Sequence, residues 1–106
     1  MENKGYILLI EDDDLFRKSL VHVLEKEGFN VGYARGGAEA IELAKDKNIS
    51  IIISDIRLAD NIDGIEAVKK IKELNHSKKI PVIVMTAYSD DDAPVRGLKA
   101  GVDDYI

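Results

Sequence analysis

Acidic residues directly follow two apolar runs in this chain of 106 residues. Residues 11–14 are four consecutive acids after the run 6–10, and Asp55 follows three isoleucines and a serine. Carboxylates that converge on one spot repel one another and raise one another's pKa unless a positive charge joins them. Oxygen ligands with room for water and for a phosphate suit magnesium. The acids therefore predict a magnesium site at which Asp55 accepts a phosphoryl group as a nucleophile.

A hydroxyl residue, Thr86, follows a further apolar run at residues 82–85, and it can place its hydroxyl against a phosphoryl oxygen. Simpler roles are open for each of these residues. Acids before a helix often serve only for capping and solvation. A threonine at this position also fits an ordinary strand end.

Apolar runs without alternation predict strands that are buried on both faces of a parallel sheet. We expect strands at residues 6–10, 30–34, 51–55, 82–85 and 102–106, with helices between them. In the first helix, apolar residues recur at helical spacing: Leu15, Phe16, Leu20, Val23 and Leu24. Gly28 is placed to end that helix. A third helix is expected over residues 64–74, with Ile65, Val68, Ile71 and Leu74 facing inward.

Strands that alternate with helices indicate an α/β fold with right-handed crossovers. We predict a flavodoxin-like, doubly wound, five-stranded parallel sheet of order 2-1-3-4-5. Its switch point lies between the first and third strands. The acids at 11–14 and Asp55 are then expected side by side.

Composition excludes several classes of protein. A net charge of −5 and a pI near 5.0 argue against a surface for nucleic acid, which is normally basic. With no cysteine, disulfides and thiolate metal sites are excluded. No signal-peptide layout precedes the first strand, and no apolar run approaches the roughly 18 residues of a membrane span. We therefore expect a soluble cytoplasmic protein.

The predicted fifth strand reaches Ile106, which leaves no helix after it. We expect residues 1–106 to form one domain that is truncated before a fifth helix. One flank of the sheet and the first helix would then expose apolar surface. Marginal stability or self-association is predicted from this.

Five motifs occur in order: residues 7–13, 51–57, the pair Asp63-Gly64, 82–87 and 99–105. Together they resemble the receiver domain of two-component response regulators over the whole chain. The resemblance implies that Asp55 is phosphorylated by a sensor histidine kinase or a phosphotransfer protein. It also implies that Glu11 and Asp12 form the acidic pair beside it.

The resemblance further implies a role for each site residue. Asp12 and Asp55 would bind Mg²⁺ directly with the backbone carbonyl of Arg57, while Glu11 would act mostly through water. The spacing of Arg17, five residues after Asp12, supports this pair over Asp12 and Asp13.

The same resemblance implies a switch. Thr86 would be its hydroxyl, Ala87 the small residue beside the phosphoryl group, and Tyr105 its aromatic residue. In this scheme Thr86 moves inward on phosphorylation and Tyr105 follows. The surface around the fourth helix and fifth strand then changes its affinity for an output domain or another protein.

The chain departs from the family pattern in two places. The loop at 58–63 has no proline and is one residue longer. The family's lysine would fall two residues beyond Ile106. We therefore expect the chain as it stands to bind magnesium but to phosphorylate or switch poorly.

Two other functions compete with this reading. The acids Asp12 and Asp14 fit the Asp-x-Asp nucleophile of haloacid-dehalogenase-like phosphatases, although the chain is short for that family. A receiver-like module that binds proteins without phosphorylation is the other alternative. In the preferred reading the domain is not an enzyme toward other molecules, since it catalyses only its own phosphorylation and dephosphorylation.

Overall fold

The chain forms a five-stranded parallel sheet in a computed structural model, which describes residues 4–45, 48–55, 64–74, 79–85 and the backbone of 104–105. The strands are β1 (Tyr6–Ile10), β2 (Asn30–Ala34), β3 (Ile51–Asp55), β4 (Val82–Met85) and β5 (Asp104–Tyr105). The helices in this part of the chain are α1 (Asp14–Lys26), α2 (Gly37–Lys45) and α3 (Gly64–Leu74). The strand order is β2-β1-β3-β4-β5, which confirms the predicted doubly wound topology.

Strand β1 lies inside the described sheet, between β2 and β3. Its register pairs Leu8 with Gly32 of β2 on one side and with Ile52 of β3 on the other. All four residues from Ile7 to Ile10 are buried. A strand covered on both faces gains from apolar side chains at every position, which explains the run without alternation. At its carboxyl end Ile10 pairs with Ser54, so the residues after β1 and the end of β3 are neighbours.

The larger core lies between the sheet and the helices α2 and α3. Alternate residues of three strands point into it, and the helices contribute small and β-branched side chains. The buried members of this core include Leu8, Ile10, Ile52, Val82, Val84, Ala40, Ala44, Ile65, Val68 and Ile71. The predicted inward face of α3 is correct for its first three positions, but Leu74 is 48% exposed. Leu74 is the last residue of α3, where the helix extends past the edge of its contact with the core.

Of the five periodic apolar residues of helix α1, Leu20 and Leu24 are half-buried and the other three are exposed. Leu15 is 78% exposed, Phe16 and Val23 are also exposed, and the buried residue of the helix is Arg17. The helix contacts β2, and there the guanidinium group of Arg17 has hydrogen-bond acceptors and an aromatic ring as partners. The exposed apolar side chains agree with the expectation of uncovered surface on this helix, and self-association stays a prediction.

Both ends of α1 have the expected local chemistry. The side chain of Asp13 accepts a hydrogen bond from the amide of Phe16 at 3.0 Å and so caps the first turn. Gly28 follows the helix with a φ of 99°, a conformation that residues with a Cβ rarely adopt. The amide of Phe29 then donates to the carbonyl of Leu24 at 3.2 Å, which completes the helix end.

The loop expected at 57–63 and the short helix expected between Ser89 and Gly101 lie outside the described residues. Among the helices that are described, none has the length and apolar character needed to cross a membrane.

We predict that Leu8→Ala lowers the free energy of unfolding by about 2 to 5 kcal/mol, since it leaves a cavity in a fully buried strand. Leu15→Ala deletes the same atoms from an exposed position, and we expect it to change the free energy of unfolding by less than about 0.5 kcal/mol. Urea titrations followed by far-ultraviolet circular dichroism measure both. Equal losses for the two variants would show that α1 packs more tightly than described.

Candidate metal centre

Three carboxylates meet at the carboxyl ends of β1 and β3. Glu11, Asp12 and Asp55 each offer one oxygen, and these oxygens lie within 4.8 Å of one another. The amide of Glu11 donates to the carbonyl of Ala34 at 2.9 Å, which continues the pairing of β1 with β2 by one residue. The backbone at the start of the acid run is therefore held by the sheet, and the structure brings together the three residues that the sequence singled out.

The four acids of residues 11–14 have three different roles. Glu11 and Asp12 join Asp55, whereas Asp13 caps α1. The side chain of Asp14 forms ion pairs with Arg17 at 2.8 Å and with Arg35 at 3.4 Å. These guanidinium groups lower the pKa of Asp14, with the hydrogen bond from Arg17 as the largest cause. Asp14 is thus not among the clustered carboxylates, and the Asp-x-Asp alternative loses its second acid.

Glu11 carries the main electrostatic cost of this cluster. Its side chain is only 5% exposed, and its Oε2 atom is buried without a hydrogen-bond partner. Burial raises the pKa of Glu11 to about 8, and a hydrogen bond with Asp55 and repulsion from Asp55, Asp12 and Asp13 add to the rise. Such a group is stabilised either by a proton or by a cation.

These residues fit a divalent cation of the hard, oxygen-binding type. A cation would satisfy the unpaired Oε2 atom of Glu11 and reduce the repulsion among the three carboxylates. Magnesium is commonly held by one or two carboxylates together with water and phosphate oxygens. The half-buried side chains of Asp12 and Asp55 leave the cluster open to such ligands.

The start of α3 fixes the backbone of the candidate phosphoacceptor. Ser54 is fully buried, and its hydroxyl donates a hydrogen bond to the carbonyl of Asp55 at 2.9 Å. A Cβ atom on Gly64 would collide with that carbonyl oxygen and with the Ser54 hydroxyl. The sequence marked Gly64 only as part of a motif, whereas the structure shows that its missing side chain lets α3 approach β3.

The remaining predicted site residues are less fully described. Arg57, Thr86 and Ala87 lie outside the described residues. Tyr105 lies in β5, where its backbone pairs with Val84, and nothing is described of its side chain. Strand β4 ends at Met85, which pairs with Asp55 at the end of β3.

Comparison with known proteins identifies the same family that the sequence motifs resemble. A family model described as the response regulator receiver domain matches residues 7–106. The transcriptional regulatory protein ZraR of Klebsiella oxytoca is 40% identical over 107 aligned positions, which cover 100% of this chain and 24% of ZraR. The chain therefore spans about a quarter of the length of that curated relative.

Two solved structures with similar folds hold a metal ion. The receiver domain of the sensor histidine kinase PA1611 from Pseudomonas aeruginosa PAO1 has magnesium coordinated in its active-site cleft. It matches with a TM-score of 0.82 and 27% identity over 96% of this chain and 83% of that chain. A response regulator from Burkholderia pseudomallei contains a phosphorylated aspartic acid, a calcium ion and citrate. It matches with a TM-score of 0.85 and 27% identity over 96% of this chain and 58% of that chain.

We predict that Gly64→Ala lowers the free energy of unfolding by about 1 to 3 kcal/mol, because the added methyl group meets backbone atoms that cannot move independently. Gly32→Ala is the matched control. There the added Cβ meets the hydroxyl end of the Tyr6 side chain, which can rotate away, so the loss should be smaller. Chemical denaturation of both variants tests this, and a larger loss for Gly32→Ala would contradict it.

The stability of the metal-free protein should depend on pH through Glu11. Its pKa is about 8 in the folded state against 4.5 when unperturbed, so the folded state binds more protons between these values. The free energy of unfolding should therefore fall as the pH rises from about 4.5 to about 8. The measurement is urea unfolding with a chelator present at several pH values across this window.

Glu11→Gln is the control for that measurement, since it keeps the size of the side chain and cannot ionise. It should flatten the slope in the same window and be more stable than the unmodified protein near pH 8. Identical pH profiles for the two proteins would rule out Glu11 as the source.

Proposed function

Because the chain belongs to the response regulator receiver domain family, we propose that it is a phosphoacceptor domain in which Asp55 takes a phosphoryl group with the help of Mg²⁺. The observation that carries this proposal is the cluster of Glu11, Asp12 and Asp55 at one end of the sheet. The donor is a sensor histidine kinase or a phosphotransfer protein.

The proposed reaction is a transfer between two proteins. A carboxylate oxygen of Asp55 attacks the phosphorus of a phosphohistidine, a P–O bond forms, and the P–N bond breaks to release the imidazole. The product is an acyl phosphate on Asp55. The half-buried position of this carboxylate at the end of β3 leaves it accessible to a donor, and the Ser54 and Gly64 contacts fix its backbone.

Glu11, Asp12 and Asp55 would hold the metal, and the backbone carbonyl of Arg57 is expected to join them. When bound, magnesium supplies positive charge that lowers the repulsion between these carboxylates and an incoming phosphoryl group. The metal-bearing cleft of the PA1611 receiver domain and the phosphorylated aspartic acid of the Burkholderia response regulator support this choice by similarity.

The proposed output is a change in a binding surface. Thr86 contacts the phosphoryl group, Ala87 leaves room beside it, and Tyr105 follows Thr86 inward. Strand β5, which carries Tyr105, is the last strand of the described sheet, next to β4. The surface of the fourth helix and β5 would then favour or release an output domain or another protein, which is a shift between two populations of one domain.

The proposed domain acts only on itself, and it works inside the cell. The domain catalyses only its own phosphorylation and dephosphorylation and is not an enzyme toward other substrates. Its proposed location is the cytoplasm. Direct binding to nucleic acid or to a membrane is not part of the proposal, in keeping with the net charge of −5.

Chemical phosphorylation tests the proposal. The protein is incubated with magnesium and acetyl phosphate, and the modified residue is mapped by mass spectrometry. We expect one phosphoryl group on Asp55. This label should be absent in Asp55→Asn, and absent when a chelator is present throughout the incubation. Asp13→Asn is the matched control, since Asp13 is an acid of the same run that caps α1, and it should remain labelled.

The other outcomes separate the alternatives. Labelling of Asp12 would support the phosphatase reading instead. No modification of any residue would leave the unphosphorylated binding module as the better interpretation.

A further inference from the structure

A buried cation lies directly behind the acid run. The side chain of Arg17 is on α1 and is 8% exposed. Its Nη1 atom donates to the carbonyl oxygen of Glu11 at 3.3 Å and forms an ion pair with Asp14 at 2.8 Å. A buried charge is costly unless it is paired and hydrogen-bonded, and Arg17 meets both conditions within six residues of chain.

These contacts bracket the metal ligands. Glu11 and Asp14 are the first and last residues of the acid run, and Asp12 lies between them. The amide of Arg17 also donates to the carbonyl of Asp13 at 2.9 Å. One residue therefore holds the run at three points, two of them through the guanidinium group.

The guanidinium group of Arg17 also contacts β2. The guanidinium carbon of Arg17 lies 5.2 Å from the centroid of the Tyr33 ring. Arg35, just after the same strand, forms the second ion pair of Asp14 at 3.4 Å. The turn between β1 and α1 is thus tied to the neighbouring strand as well as to its own helix.

The geometry suits arginine better than lysine. A guanidinium group is flat, presents several N–H donors in a fixed fork, and can stack on an aromatic face while it bonds in its own plane. A lysine ammonium carries the same charge and could donate to the same acceptors, but it has no flat face to stack on the Tyr33 ring at the same time.

We propose that Arg17 is a positioning residue for the metal site: it holds the turn at residues 11–14 so that the carboxylates of Glu11 and Asp12 face Asp55 before a cation arrives. The inference rests on the metal site of the proposed function, but not on phosphoryl transfer.

The charge of Arg17 and its positioning role have opposite effects on the affinity for magnesium. Loss of a cation close to several carboxylates should make the region more negative and should tighten the binding of a divalent cation. Loss of a positioning residue should weaken it, because the ligands are no longer held together before binding. The sign of the change in affinity therefore distinguishes the two roles of Arg17.

The test measures magnesium binding directly by isothermal titration calorimetry. Arg17→Met removes the charge and keeps an apolar stem, and we expect its dissociation constant to rise about tenfold, the lower end of the range for residues that orient metal ligands. Arg17→Lys restores the charge without the fork and should recover affinity only in part. Tyr33→Leu should weaken binding in the same direction by a smaller factor, whereas Tyr33→Phe keeps the ring and should match the unmodified protein.

Hydrogen exchange of the metal-free protein provides a readout that does not depend on the metal. In Arg17→Met, the amide of Glu11, bonded to the Ala34 carbonyl, should exchange faster. The amide of Ile52, bonded to the Pro81 carbonyl, should change far less. Ile71→Val, a conservative change in the buried part of α3, reports what a loss of general stability does to both amides and to magnesium affinity.

The outcomes separate this inference from the proposed function. An unmodified protein that binds no magnesium overturns the proposed metal site and this inference with it. If the unmodified protein binds magnesium and Arg17→Met binds it equally well or more tightly, only the role of Arg17 is overturned. Should Arg17→Met fail to fold, the comparison of Tyr33→Leu with Tyr33→Phe decides the question in the same way.

Discussion

Repulsion among carboxylates is the constraint around which this domain is built. The parallel pairing of β1 with β3 places Ile10 beside Ser54, so the acids that follow β1 are forced against Asp55. Glu11 is buried there with an unpaired oxygen and a pKa of about 8. The site is therefore destabilising to its own fold when no cation or proton is present.

The repulsion among the acids is reduced because neighbouring acids of the run have different partners. Asp13 is used by the backbone of α1, and Asp14 by two arginines, so only two acids of the run contribute to the cluster. The ion pair of Asp14 with Arg35 is exposed on both sides and contributes little to stability by itself, because solvent screens it. The value of both ion pairs lies in geometry, since they fix which carboxylates face Asp55 and which face away.

The two faces of the sheet are built differently. On the side of α2 and α3, alternate strand residues and the helices form one continuous buried core. On the other side, α1 contacts β2 and leaves Leu15, Phe16 and Val23 exposed. The candidate metal centre lies at the end of the sheet between these faces. The core side supports the Asp55 backbone through Gly64 and Ser54. On the other side, α1 carries Arg17, which donates to the Glu11 carbonyl.

The sequence by itself determined the strands, their order, and Asp55 with the acid run as the place of the site. Uninterrupted apolar runs have few alternatives to a buried parallel strand, which is why the bounds of β1, β3 and β4 were predicted closely. The rule that ligands bind at the carboxyl ends of such strands then brought Asp55 and the acid run together. The choice of Glu11 and Asp12 came from resemblance and from the spacing of Arg17, because four adjacent acids are alike in local chemistry.

Only the tertiary structure decided which side chains are buried and what they contact. Helical spacing of apolar residues in α1 was predicted, but the buried residue of the helix is Arg17: Asp14 and the Glu11 carbonyl lie near it in the chain, whereas the Tyr33 ring that it contacts comes from β2. The unpaired oxygen of Glu11 and the contact of Gly64 with the Asp55 carbonyl likewise depend on atoms far apart in the chain. Local sequence encodes the period of a helix and the residues that can do chemistry, whereas charge pairing and close approach are settled by neighbours that only the folded chain provides.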